Sequence, residues 1–247
     1  MGVAVRSLLK FICKFLWIES DCGHLYFRSL FRESVVVVDL GANKGDFCAE
    51  VLKKNNLAQA ILVEANPSLV ETLKRRYLKN KSVSVENYCA SGVSGNEVSF
   101  FISKNLEASS VNKNFSEKFD LASEVRVKTI SLKEIILKFQ LRHIDLLKID
   151  IEGAEYDLLE NFDKEEYGKV AQISIEFHDF MDPNLRLKSE ECIRRLKQFG
   201  YMFIHVGSNY GYGSPYANCL FFKLNVANFM KIAFYPFRLT AEALKLR

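Results

Sequence analysis

Val35-Val-Val-Val-Asp39-Leu-Gly41-Ala-Asn43-Lys-Gly45 is the stretch on which the fold turns. Its β-branched run has no polar partner face, which predicts a central parallel strand buried on both sides. Glycines at 41 and 45 permit a tight turn and let a ligand approach bare backbone, with a helix N-terminus behind it. A helix through Phe47, Val51 and Leu52 follows. Outward from this unit the chain alternates. Ala60–Glu64 reads as a second strand, Ser68 opens a helix through Leu69, Leu73 and Tyr77, and Val83–Asn87 reads as a third strand. Residues 97–102 and 125–130 form a strand pair joined by a polar loop of about 20 residues, a length that compact domains keep for a function. Strands at 144–151, 170–177, 201–206 and 219–224 alternate with helices at 154–162 and 185–199. The expectation is an α/β, doubly wound parallel sheet, which binds ligands beyond the carboxyl ends of its strands.

The chain has 247 residues, 49% hydrophobic and 26% charged, which fits one large soluble α/β domain and excludes disordered, collagenous and disulfide-framework classes. A net charge of +4 and a pI near 8.6 fall short of a nucleic-acid footprint, so no nucleic-acid partner is expected. Cys13, Cys22, Cys48, Cys89, Cys192 and Cys219 are scattered without a C-x-x-C pair; they read as reduced thiols of a cytoplasmic protein. The longest apolar run, Leu8 to Ile18, is broken by Lys10 and Lys14, so neither a membrane span nor a secretory signal is expected. Three segments emerge: a basic, aromatic stretch at 1–33, a domain at 34–225, and a basic, aromatic tail at 226–247.

The residues just after each strand carry the chemistry. Beyond the first, G-x-N-x-G at 41–45 reads as a ligand turn or a plain strand-to-helix turn, and it fits neither G-x-G-x-x-G nor the P-loop. Beyond the second, Glu64-Ala-Asn66-Pro67 places an acid about 20 residues past the glycine turn, suited to ribose hydroxyls or to a helix N-terminus. Asp145-Leu-Leu-Lys-Ile-Asp150-Ile-Glu152-Gly-Ala-Glu155 gathers four carboxylates. Glu152 and Glu155 read mainly as helix-capping acids; Asp150 stands at the mouth where a ligand of the sheet would lie. Ile175-Glu176-Phe177-His178-Asp179 puts a histidine at that same mouth, either a general base near neutrality or a structural hydrogen-bonder.

These blocks, in this order and with these separations across residues 35–180, resemble the FkbM family of S-adenosylmethionine-dependent methyltransferases. The run Lys148-Ile-Asp150-Ile-Glu152-Gly153-Ala-Glu155 is the most specific of them. The family often has an acid where Ser131 stands. The resemblance implies a Rossmann-like class I methyltransferase fold: a mostly parallel, doubly wound sheet of seven strands with an extra strand pair near 97–130. It implies S-adenosylmethionine as cofactor, with Asp39, Gly41, Asn43 and Gly45 around its methionine end. Glu64 would lie on the ribose hydroxyls, Asn66 bordering the adenosine, Cys89 and Ala90 against adenine, and Asp150 at the methyl-transfer mouth. It implies acceptors such as hydroxyls of sugars or of glycosylated products.

Methyl transfer from a sulfonium is an in-line displacement, and a sugar hydroxyl needs a base at pH 7. Asp150 and His178 are the candidates; a divalent metal on Asp150, Glu176 and His178 ranks second. Competing classes are a nicotinamide oxidoreductase and a non-catalytic glycan-binding or scaffold protein. Tyr77-x-x-x-Lys81 spells a short-chain dehydrogenase dyad but reads as a helix-surface coincidence. The Gly207–Tyr216 loop, with Tyr210 and Tyr212, suits sugar stacking or plain connection. The 103–124 loop, with Asn105, Ser109, Ser110 and Asn112, suits a lid. The terminal segments, including Phe229, Lys231, Phe234, Tyr235, Phe237 and Arg238, read as cover for the sheet, a homodimer contact, or a peripheral attachment at the inner membrane surface that suits a lipid-linked glycan acceptor.

Overall fold

A computed structural model describes residues 18–55, 59–104, 109–117, 120–179, 184–206, 216, 218–225 and 228–234. The segment before Ile18, the loop residues Tyr210 and Tyr212, Asn105, and the tail residues Tyr235, Phe237 and Arg238 lie outside them.

The chain runs β1 (Ile18–Asp21), β2 (His24–Phe27), β3 (Val36–Leu40), α1 (Asp46–Lys54), β4 (Gln59–Glu64), α2 (Pro67–Tyr77), β5 (Val83–Asn87), β6 (Cys89–Ala90), β7 (Glu97–Ser103), α3 (Lys113–Glu117), β8 (Leu121–Ile130), α4 (Leu132–Lys138), β9 (Leu146–Ile149), α5 (Glu155–Asn161), α6 (Lys164–Lys169), β10 (Gln172–Glu176), α7 (Leu185–Gln198), β11 (Tyr201–Val206) and β12 (Asn218–Lys223). Seven strands form one sheet in the order β11-β12-β10-β9-β3-β4-β5. All adjacent pairs from β10 to β5 are parallel; β12 runs antiparallel between β10 and β11, so the sheet is mixed. The extra pair is there: β7 and β8 are antiparallel, and β6 joins β8 to make a separate three-stranded sheet.

Strand alternation divides the interior in two. Val38, Leu40, Ile61, Val63, Leu147, Ile149, Ile173 and Ile175 face the layer of α4, α5 and α7. Val37, Ala60, Leu62 and Leu146 face α1 and α2 through Phe47, Val51, Leu73 and Tyr77. On this second side the β1–β2 hairpin covers β10 and β12: Leu25, Phe27 and Leu30 pack on Leu220 and Phe222. Sequence reading set residues 1–33 apart from the domain; from residue 18 onward the chain shares its core, with Tyr26 and Phe27 fully buried. Residues 228–234 are helical, with Ile232 against the hairpin cluster and Phe229 and Phe234 about half exposed.

Local signals fix several boundaries. Asn66 caps α2 by accepting from the Ser68 N–H at 3.0 Å, with Pro67 at the first helical position. Ser131 caps α4 through the Glu134 N–H, so the departure at this position replaces one capping residue with another. Asp145, fully buried, lies at the far end of β9 from the cleft and accepts from the Arg32 and Val36 N–H groups at 3.0 and 2.9 Å; its role is to tie the hairpin exit to β3. Tyr77 is buried, and its hydroxyl donates to the Gly45 carbonyl at 2.7 Å. The Tyr77-x-x-x-Lys81 spelling is therefore no surface coincidence at its first residue: the tyrosine braces the glycine turn.

Candidate active site

Strand order reverses between β3 and β9. From β3 the chain moves outward to β4 and β5, and after β9 it moves the other way to β10, so the carboxyl ends of β3 and β9 bound the crevice that such sheets use. The turn after β3 is held by three hydrogen bonds. The Gly41 and Ala42 N–H groups donate to the Val63 carbonyl at 2.9 and 3.1 Å, and Lys148 Nζ donates to the Gly41 carbonyl at 2.6 Å. Asn43 (φ +50°) and Gly45 (φ +80°) then turn the chain into α1. Lys148 is buried in register beside Asp39 on the same face, with Nζ 3.1 Å from Asp39 Oδ1 and 3.4 Å from Asp150 Oδ2. Burial alone would lower its pKa; the carboxylates of Asp39 and Asp150 outweigh that and raise it, so the ammonium stays charged.

Glu64 ends β4 with both oxygens already engaged. Oε2 accepts from the Asn43 N–H and Oε1 from the Asn66 N–H, each at 2.8 Å. Burial raises its pKa against these two bonds. One carboxylate therefore pins the glycine turn to the start of α2, and it lines a cleft whose empty space, counted out to open solvent, is about 550 Å³. The wall includes Gly41, Asn43, Glu64, Cys89, Ala90 and Asp150, six of the residues read from sequence, together with Leu69, Tyr88, Phe100, Ser109 and Glu152. Asp39, Gly45, Asn66 and His178 do not line it. Asp39 faces Lys148, Gly45 is backed by Leu73 and Tyr77, and Asn66 caps its helix. Burial pushes the Cys89 thiol up to about 12, leaving it a small apolar wall residue. Part of the 103–124 loop does reach the cleft: Ser109 lines it, and Ser110 Oγ donates to the Glu152 carbonyl at 2.6 Å.

At the Asp150 end the cleft opens on titratable groups. His178, buried, donates from Nδ1 to Glu155 Oε1 at 2.8 Å; its Nε2 lies 3.1 Å from Glu152 Oε2 and 3.8 Å from Asp150 Oδ1. Burial would lower the imidazole's pKa, but the carboxylates of Glu152 and Glu155 carry it well above the ordinary value. Glu155 fits the capping expectation, since it accepts from the Ile151 and Gly153 N–H groups before α5. Glu152 does not: at φ +52° it turns its carboxylate to His178 rather than to a helix end. Burial raises the Asp150 carboxyl, yet the Lys148 ammonium and His24 overcome this and hold it well below the carboxylate range.

His24 is the residue that sequence reasoning missed. Its Nε2 donates to Asp150 Oδ2 at 3.4 Å, and its Nδ1 faces Ser174 Oγ at 3.4 Å, the hydroxyl that also accepts from the Leu25 N–H. Gln172 binds both the N–H and the carbonyl of Phe27, so alternate residues Gln172, Ser174 and Glu176 turn one face of β10 to the hairpin. That polar alternation within a buried strand is the signal in the sequence: an all-parallel core strand has no need of it. The row ends at Glu176, which groups with His24 and Asp150, whereas His178 groups with Asp150 and Glu152. The metal set Asp150, Glu176 and His178, the second-ranked alternative from sequence, thus divides between two neighbouring trios.

Glu176 carries a pH signature. Burial and the Asp150 carboxylate, partly countered by His178 and Lys148, push its carboxyl from 4.5 up to about 7. A raised acid pKa means the folded state binds the proton more tightly, so this stabilisation is full below pH 4.5 and is lost as pH rises through 7. Melts of wild type and Glu176→Gln at pH 5 and pH 8 should diverge, the variant gaining on the order of 1–3 kcal/mol relative to wild type at the higher pH. Parallel pH curves would refute the assignment.

A switch-point crevice, a glycine turn after β3, an acid ending β4 and carboxylates after β9 are the parts of a Rossmann-like ligand site. The chain belongs to the FkbM methyltransferase family, whose domain description, Methyltransferase FkbM domain, matches residues 39–203. It is 26% identical over 198 residues to Methyltransferase sdnD of Sordaria araneosa, covering 69% of this chain and 76% of that one. It is 25% identical over 193 residues to Methyltransferase 1 of Beauveria bassiana (strain ARSEF 2860), covering 71% and 76%. Among solved structures it is similar to the Methanococcus jannaschii fibrillarin pre-rRNA processing protein (TM-score 0.48, 11% identity, 80% and 70% covered). It is also similar to precorrin-6y C5,15-methyltransferase of Geobacter metallireducens (TM-score 0.42, 11% identity, 89% and 88% covered). His24 lies outside the family match.

The residues present fit the cofactor this membership implies. Asn43, on the cleft wall, keeps its Oδ1 buried without a hydrogen-bond partner among the described residues, an arrangement a bound polar group would relieve.

Proposed function

We propose that this protein transfers a methyl group from S-adenosylmethionine to a hydroxyl of a sugar or of a glycosylated or lipid-linked acceptor. Glu64 would hold the ribose hydroxyls, Gly41 and Asn43 the methionine end, and Cys89, Ala90 and Tyr88 the adenine. The cofactor supplies an electrophilic methyl on a sulfonium; the chain supplies alignment and proton handling. The observation that carries the acceptor reading is the polar end of the cleft: Asp150 and Glu152 line it, with buried His178 behind them against both carboxylates, and such carboxylates are suited to hydrogen-bond a hydroxyl-rich molecule. Asp150, held ionised, would accept the hydrogen bond of the attacking hydroxyl and take its proton, while Glu64, Gly41 and Asn43 would hold the cofactor that supplies the methyl group. His178, held as an imidazolium between two carboxylates, orients Glu152 and stabilises charge rather than acting as the first base.

Incubation with S-adenosylmethionine carrying a labelled methyl group and a panel of glycans and glycolipids tests this. Transfer to an oxygen of one acceptor class, lost in Asp150→Asn, is expected. Cofactor binding with transfer only to nitrogen or carbon acceptors would overturn the acceptor reading. Absence of cofactor binding would favour a scaffold or glycan-binding protein. Attachment to a membrane rests on the exposed Phe229 and Phe234 beside Lys231, and co-sedimentation with anionic liposomes checks it.

A further inference from the structure

We propose that Asp150, Glu152 and His178 form a site for one divalent first-row transition cation at the mouth of the cleft. The role of that cation rests on the methyltransferase reading; the site itself does not. The ligand atoms of the three residues lie within 4.8 Å of one another, with 3.1 Å from His178 Nε2 to Glu152 Oε2 and 3.8 Å to Asp150 Oδ1. A cation with bonds of about 2.0–2.2 Å sets neighbouring ligands roughly 3 Å apart and opposite ones roughly 4.4 Å apart, which brackets these separations.

A second, independent observation is the anchoring of the histidine. His178 is buried, and its Nδ1–H is spent on Glu155 Oε1, a carboxylate wholly excluded from solvent and fixed in turn by the Ile151 and Gly153 N–H groups. Metal-binding histidines are oriented in this way, with one ring nitrogen on a carboxylate and the other presented to the ion, which here would displace the Nε2 proton that the metal-free imidazolium carries. Among the described residues the presented nitrogen faces the Glu152 and Asp150 carboxylates. Three carboxylates, those of Asp150, Glu152 and Glu155, surround one imidazole, and the Lys148 ammonium reaches only the Oδ2 side of Asp150. An imidazole with two carboxylates favours Mn²⁺, Fe²⁺ or Zn²⁺ over Ca²⁺. Asp150 and Glu152 are each about one-quarter exposed at the side chain, so the site opens to the cleft and keeps positions for an acceptor hydroxyl.

The full chain, stripped with EDTA and desalted, is titrated with MnCl2 while free Mn²⁺ is read by electron paramagnetic resonance. One saturable site per chain is expected, weakened at least tenfold in Glu152→Gln and in His178→Asn. Glu152→Gln keeps the shape of a partly exposed side chain, so the test survives if the His178 variant fails to fold. Absence of Mn²⁺ binding in a protein that still binds S-adenosylhomocysteine would overturn the proposal and leave the methyltransferase reading intact. The opposite pattern, Mn²⁺ bound but S-adenosylhomocysteine not, would support the site and count against that reading. Binding unchanged in Glu152→Gln but lost in Glu176→Gln would move the ion to the His24 trio and also overturn it.

Discussion

Glu64→Ala is expected to weaken S-adenosylhomocysteine binding about 100-fold or more, read by isothermal titration, while the sheet remains folded by circular dichroism. Two effects combine. Hydrogen bonds from ligand hydroxyls to a carboxylate contribute about 1.5–3 kcal/mol each, and every 1.4 kcal/mol is tenfold. Removal also frees the Asn43 and Asn66 N–H groups, so the turn that borders the cofactor loses its tie to α2. Glu64→Gln separates the two. An amide accepts from one of these N–H groups and opposes the other with its own donors, so it keeps the side chain's volume but fails the pairing. It should fall between wild type and Glu64→Ala. Wild-type affinity in the alanine variant would remove Glu64 from the cofactor site.

Gly41→Ala is expected to abolish the native fold or cost more than about 4 kcal/mol, a size reserved for a few named mechanisms. A Cβ at Gly41 would stand 1.8 Å from the Asp150 carbonyl oxygen and 2.9 Å from its carbon, at φ +78°. The obstacle is backbone, and it is held: the Asp150 N–H donates to Leu40 O, and Lys148 anchors the Gly41 carbonyl. Gly95 supplies the control. Its φ is +87°, yet nothing lies within 4 Å of a Cβ there, so Gly95→Ala should cost only the left-handed backbone penalty of about 1–2 kcal/mol. Urea unfolding of both variants checks the contrast, and equal costs would mean that conformation, not contact, makes Gly41 a glycine.

The sheet was legible because each unit announces itself over a short span. A β-branched run buried on both faces, a glycine turn and an amphipathic helix need no distant information, and the acids that follow each strand fall at the cleft by topology. That reasoning found Gly41, Asn43, Glu64 and Asp150 on the cleft wall, and the family resemblance added Cys89 and Ala90. It was less able to say which polar groups meet there. Glu152 read as a helix cap because its offset from α5 is the usual one, but the chain enters the left-handed region at this residue and aims the carboxylate at His178.

What the sequence by itself determined is the class of fold, the position of the crevice and the acid that serves the second strand, since all three follow from strand periodicity and local turn chemistry. What only the tertiary structure decided is the composition of the mouth. His24 reaches Asp150 across 126 residues because the β1–β2 hairpin docks on the polar face of β10. Lys148 lies between Asp39 and Asp150 because β3 and β9 pair in one particular register. Glu176 and His178 part company around Asp150 because side chains on a strand alternate faces only until the strand ends. Docking and register are long-range choices made by buried area and hydrogen bonding; the polar alternation on β10 marks a face to be covered, but no local pattern says which segment covers it.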